Sequence, residues 1–581
     1  MGAFVADFET TTRKEDCRVW AYATCEIGNE DNVSIGTTID DFMRWCSKSN
    51  ENHKVYFHNL KFDGSFILYW LFKNEYEFVA EKKDRKSKTF TTLISDKGLW
   101  YSIEVIFHKK GKNVNKVTFL DSLKLIPLSV DQIAKSFHMS ISKLKIDYTA
   151  HDFLPVGAPL SEDEKEYVTH DVKIVARALD YFFKQGLDKM TIGSCALNEY
   201  KKLLSKKLFK RYFPIVKSSY HDDVKQSYRG GFTYLNPKFA EKTVKEGVVL
   251  DVNSLYPYVM YDKYLPYGTP IFFKGKYKKD LIYPLYTQML KCQFELKQGK
   301  IPTIQIKYGG MYRSNEYLTE SKGEVVLCLN SVDLDLFFEQ YEVYNVEYLS
   351  GWKFRATKGL FDKYIEKWST NKIEAKKRGD HGMYLISKLF LNSLYGKFGT
   401  DNKAISRKPV LGEDGVIHYE DLPEESKDGI YIAMASFITS YAREKTIKSA
   451  QKIQDEYNAG RSDIQFIYAD TDSLHCLSPS QKLPGGLDID DTKLGAWKFE
   501  SKFKRGKYLR QKCYIEDSAE DVNNPEAEYK LKITVAGMPT SCYEYVNFRN
   551  FKLGASYKGK KLPLNVEGGV VLDDVDFTIK E

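Results

Sequence analysis

The stretch FIYADTDSLH, residues 466–475, places two aspartates, Asp470 and Asp472, directly after a run of buried-strand character. In an extended strand residues i and i+2 share one face, so the spacing predicts that both carboxylates point the same way. Two bare carboxylates that close repel each other and raise each other's pKa unless cations neutralise them. Oxygen-only ligands suit Mg²⁺, which keeps water and substrate phosphates in its remaining positions. Taken alone, DTDS reads equally well as a polar turn. A calcium loop is excluded, because counting from Asp470 the glycine position holds His475 and the closing glutamate position holds Gln481.

A second acidic strand end lies in LDVNSLYP, residues 250–257, where Asp251 follows Val248, Val249 and Leu250 and precedes a tight turn. Carboxylates meeting from neighbouring strand ends can hold two metal ions about 3.5–4 Å apart, an arrangement that activates a primer hydroxyl and stabilises a leaving pyrophosphate. In KLFLNSLYG, residues 388–396, Lys388, Asn392 and Tyr395 fall on one helical stripe. A cation, an amide and a ring facing one way suit a nucleoside triphosphate, with Lys388 on the phosphates and Tyr395 against the base. Lys372, Lys376, Lys377 and Arg378 add positive charge upstream, although by itself such a stripe reads as a solvated face.

The N-terminal half has its own acids. Asp7 and Glu9 share a strand face in VADFETTT, Asp63 lies in FHNLKFDG, and Tyr167 and Asp171 are one turn apart on a long helix. That helix is predicted to start at a Ser161/Glu164 capping box and to end near Gly186. Singly, each acid reads as an ordinary surface carboxylate. Together, four convergent carboxylates would form a second two-metal site, with Tyr167 orienting an attacking water.

A chain of 581 residues is too long for one hydrophobic core, so three or more domains are expected. Nine scattered cysteines without a CxxC pair argue against a disulfide framework and a structural zinc site, and suit a reducing cytoplasm. The longest apolar run, FILYWLF at 66–72, is far short of the roughly 18 residues of a membrane span. No targeting pattern opens the chain, and a soluble protein is expected. Its +8 net charge fits a phosphate-rich partner without proving one. The 41 tyrosines and 35 phenylalanines belong mostly to the core, yet rings interleaved with lysines are also what a single-strand groove uses. Alternating strand and helix patterns over the first 190 residues predict an α/β layout. The glycine pair of YRGGF, 228–232, suits a bend between domains, and Asp414-Gly415 is a hairpin signal.

DVNSLYP, KLFLNSLYG and YADTDS, in this order, resemble motifs A, B and C of the family B DNA polymerases, and KCY at 512–514 resembles the KxY motif of that family. The protein-primed, phi29-like phage subgroup is similar over essentially the whole chain, including YRGGF, IPTIQIK at 301–307 and GGVVLDD at 568–574. The resemblance implies that Asp251 and Asp472 bind metal with the Val252 carbonyl, and that Asp470 is a supporting acid. It makes Tyr256 the ring that excludes a 2′-hydroxyl, with Ser254 and Leu255 beside the nucleotide. Lys388, Lys376, Asn392 and Tyr395 would complete the nucleotide site, and Lys512 and Tyr514, alternating on one strand face, would hold the primer end. Tyr228, Gly230 and Gly231 would also contact DNA. Two departures stand out: SLYPYVM replaces the SLYPSII of many members, and Tyr384 occupies the place of a further fingers lysine.

DFE, NLKFD and YVTHD likewise resemble the three motifs of proofreading 3′-5′ exonucleases with an RNase H-like fold. On that resemblance Asp7, Glu9, Asp63 and Asp171 are the metal-binding catalytic acids, Tyr167 is catalytic, and Lys143 polarises the scissile phosphate. Thr10, His58, Asn59, Phe62, Phe66, Ser122, Leu123 and Tyr148 would line the single-strand groove, although His58 reads equally as a satisfied core histidine.

The expected architecture is α/β and α+β, multidomain. It comprises an RNase H-like exonuclease domain at 1–190 and a right-hand polymerase with palm at 191–260 and 433–536, fingers at 359–398 and thumb at 537–581. Two insertions of the protein-primed kind are expected, at 261–358 to dock a terminal protein and at 399–432 to complete a tunnel around DNA. The implied activity is processive, strand-displacing DNA-directed synthesis that replicates a linear phage genome. Its implied requirements are two Mg²⁺ ions per active site, with Mn²⁺ accepted, dNTPs, primer-template DNA, a terminal protein as primer and a single-stranded DNA-binding protein. A monomer in the cytoplasm of an infected bacterium is expected. Two rivals stay open: a stand-alone nuclease whose C-terminal half only binds DNA, and a non-catalytic processivity or packaging factor.

Overall fold

The computed structural model describes residues 2–48, 52–216, 219–305, 317–427 and 429–580. The end of IPTIQIK, and with it the 306–316 part of the first expected insertion, lies outside them.

The first eight-stranded sheet runs in the order Asn29–Gly36, Val19–Glu26, Gly2–Thr10, His53–Phe57, Asn113–Asp121, Trp100–Lys110, Thr89–Ile94, Glu77–Phe78. Its heart is an antiparallel meander followed by two parallel neighbours, since Gly2–Thr10 pairs parallel with His53–Phe57 and that strand parallel with Asn113–Asp121. This is the RNase H-like order. The helix Glu162–Lys184 has the expected Ser161/Glu164 capping box and lays Val168, Val172, Val175 and Leu179 against the sheet. In KVYFHNL the strand stops at Phe57, because Asn59 adopts the left-handed region at φ +85° and the helix Leu60–Lys73 begins.

The second sheet is built from distant segments in the order Lys530–Val535, Cys513–Ala519, Trp497–Arg510, Gly247–Val252, Ser473–Leu477, Gln465–Asp470, Thr233–Leu235. The apolar run before Asp251 explains why Gly247–Val252 sits centrally, since a central strand must bury both faces. The long helix Ile432–Asn458 packs behind it. A four-stranded sheet spans Leu265 to Thr357, and the helices Asp362–Arg378 and His381–Phe398 form an antiparallel pair closed at Gly379. The hairpin Arg407–Leu411/Ile417–Asp421 turns through Gly415, as its Asp-Gly predicts. All nine cysteines are free and buried. Among the described residues no helix is long and apolar enough to cross a membrane.

Neither YRGGF glycine has a positive φ, so left-handed backbone is not what the segment takes from them. Gly231 instead lies flat against the turn after Asp470, where an added Cβ would come within 2.5 Å of Thr471 Oγ1. Thr471 N donates to Phe232 O at 2.6 Å, so the segment pins that turn.

Candidate active sites

Asp7, Glu9 and Asp171 carry ligand oxygens that all lie within 4.8 Å of one another. The parity of the Gly2–Thr10 strand turns Asp7 and Glu9 to one side, and the long helix supplies Asp171. Burial, with Asp171 alongside, lifts the Asp7 carboxyl from 3.8 to about 7. Burial and then the Asp7 charge push Glu9 well above its ordinary range. Lys143 pairs with Asp171 Oδ2, while Asp171 Oδ1 is buried without a hydrogen-bond partner. Burial works against the Lys143 cation, but Asp171 outweighs it and raises its pKa. Three crowded carboxyls, one with an orphaned oxygen, fit a divalent cation. Asp63 sits in the same cleft outside this trio, and its Oδ1 accepts from Phe8 N at 3.2 Å. Burial and then Asp7 hold it well above its ordinary range. Tyr167 OH lies 3.2 Å from Tyr148 OH, and burial raises its pKa.

These groups open into a cleft of about 1120 Å³ that Thr10, His58, Asn59, Phe62 and Tyr148 also line. Three expected groove residues do not reach it. Phe66 is only 1% exposed, in the core beneath Gly569, because its helix turns that face inward. Ser122 is fully buried, donating to Phe57 O at 3.1 Å and bonding His58 Nδ1 at 2.9 Å. Leu123 is half-buried beside it. His58 Nε2 meets Leu128 O at 2.6 Å, so both ring nitrogens are engaged although the ring faces the cleft. Sequence reasoning missed the far wall, made of Tyr419 and of Lys561, Pro563, Asn565, Leu572 and Asp573 from the hairpin Ser556–Val566/Gly569–Thr578. That hairpin docks through Gly568 at φ +99°, where a Cβ would strike Cys17 O at 2.0 Å. Only the GGVVLDD string hinted at it, and no local pattern shows such a contact.

In the second sheet Asp251 stands opposite Ser473 on one side and Lys498 on the other. Val252 N donates to Asp472 O at 2.8 Å, which brings the two acidic segments together. Burial, then Asp472 and Glu500, raise Asp251 to about 7, and burial raises Asp472. The alternating-strand argument fails here. Asp470 pairs with Ser473 across a two-residue turn, with Thr471 at φ +59°, so Asp470 closes the strand while Asp472 lies in the turn. Asp470 instead receives Thr233 Oγ1 at 3.0 Å and Tyr468 OH at 3.3 Å, and Lys512 Nζ lies 3.4 Å away. Lys512 also leaves the strand expected of it, since it sits at φ +53° in the turn between Arg510 and Cys513. Its N–H donates to Tyr468 OH at 2.9 Å. Tyr514 is 7% exposed and stacked on Tyr508, which leaves little of its ring to offer.

Above this floor, burial and then the charges of Lys388, Lys376 and Lys498 depress Lys372. The Lys372 ammonium is thus close enough to three others to feel their charge, although Lys498 is itself paired with Glu500 at 3.4 Å. Lys498 escaped sequence reasoning because it belongs to a strand with no recognised motif. Tyr256 and Tyr395 stack with ring centroids 4.1 Å apart, so Tyr395 braces Tyr256 rather than standing free for a base. Asn392 and Lys388 are exposed on the same helix. Ser254, at φ +54°, immediately precedes the helix Leu255–Asp262 without a side-chain capping bond, whereas Leu255 is 2% exposed in the core. Tyr228 is half-buried near Tyr395, and Gly230 is exposed.

Residues 46–158 and 155–483 match the family described as DNA polymerase type B, organellar and viral. The DNA polymerase of Bacillus phage B103 is 45% identical, over 99% of both chains. That of Bacillus phage phi29 is 44% identical, again over 99% of both. The solved phi29 DNA polymerase complexed with primer-template DNA and incoming nucleotide substrates superposes over all of both chains with a TM-score of 0.92 at 44% identity.

Proposed function

This chain belongs to the organellar and viral type B DNA polymerases, as a phi29-like phage DNA polymerase, and from that premise we propose a protein-primed, strand-displacing replicase that proofreads its own product. It shares the multidomain α/β fold of the phi29 enzyme, with an exonuclease domain and palm, fingers and thumb. The acid trio at one sheet, and Asp251 beside the Asp472 turn at the other, carry the reading, because two chemistries need two acidic centres.

We assign 1–190 to the exonuclease, 191–260 and 433–536 to the palm, 359–398 to the fingers and 537–581 to the thumb. The separate sheets and the helix pair support this division. The insertion at 261–358 is assigned to docking a terminal protein whose hydroxyl primes synthesis, and that at 399–432 to closing the path around DNA. A monomer working with a single-stranded DNA-binding protein in the cytoplasm of the infected host completes the proposal.

In the palm, Asp251 and Asp472, with the Val252 carbonyl, would hold two Mg²⁺ or Mn²⁺ ions. When bound, such cations make the primer hydroxyl a better nucleophile and neutralise the leaving pyrophosphate. Lys388 and Lys376, with Lys372 and Lys498, hold the triphosphate, and Tyr256 bars a 2′-hydroxyl. Asp470 fixes the Lys512 ammonium, which with Tyr514 positions the primer end. In the exonuclease, Asp7, Glu9, Asp63 and Asp171 would hold the cations, Lys143 offsets their charge, and Tyr167 orients the attacking water.

The test is extension of a primed single-stranded circle with Mg²⁺ and dNTPs, without helicase or clamp. Products many circle-lengths long are expected. Products ending at one circle would remove strand displacement, and absence of extension would favour the non-catalytic rival.

A further inference from the structure

The loop after Tyr148 carries an aromatic side chain that the core does not take in. Phe153 is 83% exposed, and Leu154 and Val156 beside it are 44% and 68% exposed. The loop is nevertheless anchored on both sides. Asp152 accepts from Thr12 N at 2.7 Å and from Thr12 Oγ1 at 2.5 Å. Arg18 donates to the carbonyls of His151 at 3.2 Å and Leu154 at 2.6 Å. His151 lies flat on Trp20, with centroids 4.0 Å apart, and bonds Glu164 at 3.0 Å. Phe153 is therefore presented outward by a fixed frame. The Arg13 guanidinium stands 4.5 Å from its ring centroid. Thr12, Tyr148 and Thr149, on the same two segments, line the acidic cleft, so Arg13 directly follows a lining residue and Phe153 is held to it through the Asp152–Thr12 bonds.

We propose that Phe153 and Arg13 form an outer stacking platform for single-stranded DNA whose 3′ end lies in the acidic cleft. One base stacks on the open part of the Phe153 ring while Arg13 attracts the adjoining phosphate. The inference rests on the exonuclease reading of that cleft. Every base has a π face, so the platform needs no sequence preference. An exposed apolar triplet also suits a protein partner, but continuity with the cleft and the cation on the ring favour nucleic acid.

The test uses full-length wild type, Phe153→Ala, Phe153→Trp and Arg13→Gln, with oligothymidylates of about 3 to about 16 nucleotides in EDTA. Phe153→Ala is expected to weaken the longer strands at least about fivefold and to leave the shortest unchanged, while Phe153→Trp binds as wild type. Arg13→Gln is expected to flatten the salt dependence. A strand carrying 5-iodouracil is expected to cross-link to Phe153. Degradation of the same strands by wild type with Mg²⁺ is measured in parallel. Degradation together with equal affinity of wild type and Phe153→Ala at every length overturns the platform alone, as it would if a protein covers the loop. Absence of degradation overturns the exonuclease reading and the platform with it.

Discussion

Asp7 and Glu9 of the first sheet and Asp171 of the helix packed on it bring ligand oxygens within 4.8 Å of one another, with Lys143 already paired to one of them. In the second sheet Asp251 and Asp472 come from a central strand and a neighbouring turn, and among the described residues they do not form such a triplet. Nearby, Lys372, Lys388 and Lys376 make no ion pair among the described residues, and Lys498 beside them pairs with Glu500 at 3.4 Å. On the proposed reading, the trimming site is a cation receptor largely finished by the fold, whereas the building site is completed by the phosphates of its substrate. A site that must accept each correct nucleotide gains from being completed by it, because binding then assembles the chemistry. The proposed hydrolytic site, acting on any 3′ end, would have no such need.

The comparison breaks most visibly with the acids themselves. Asp472→Ala is expected to cut nucleotide incorporation by about a thousandfold or more while leaving single-strand degradation intact. Asp7→Ala is expected to do the reverse. Primer extension and release of mononucleotides, measured side by side, check both, and loss of one activity in both variants would make the two sites one.

Next in size is the sugar gate. Tyr256→Val, which removes the ring braced on Tyr395, is expected to raise ribonucleotide incorporation relative to deoxyribonucleotide by about tenfold or more. An unchanged ratio of kcat/KM values would release Tyr256 from that role. Lys143→Met is expected to slow degradation by about tenfold without touching extension, and to move the acidic limb of its pH profile upward, since Asp171 loses the charge that lowers its pKa.

The smallest effect is on stability. Asp7 and Asp251 are raised from 3.8 to about 7 in the folded chain, so between those values the native state keeps protons that the unfolded state has released. The metal-free protein should therefore lose stability as pH rises from 4 to 7, and Mg²⁺ should restore more at pH 7 than at pH 5. Denaturant unfolding at the two pH values, with and without Mg²⁺, measures this.

Sequence carried the acids well because period-2 and period-3.6 patterns are local: Asp7 and Glu9 share a face, and Asp171 follows from the capped helix. Asp470 and Asp472 misled because their spacing reads as one continuous strand, whereas a two-residue turn intervenes, which is the polar-turn alternative that DTDS leaves open. Phe66 misled because which face of the helix meets the core depends on the docked hairpin some 500 residues on, at Gly569. Lys498 and the far wall of the cleft were illegible for the same reason: they join their sites through register and docking, which no short window encodes.

The most direct measurement is binding of Mn²⁺ to the protein without DNA or nucleotide, by electron paramagnetic resonance, in wild type, Asp7→Ala and Asp472→Ala. If the trimming site is finished by the fold and the building site is not, Asp7→Ala loses the bound ion, Asp472→Ala keeps it, and primer-template with dNTP recruits more only where Asp472 is present. Loss of the substrate-free ion in Asp472→Ala, with retention in Asp7→Ala, would contradict the account.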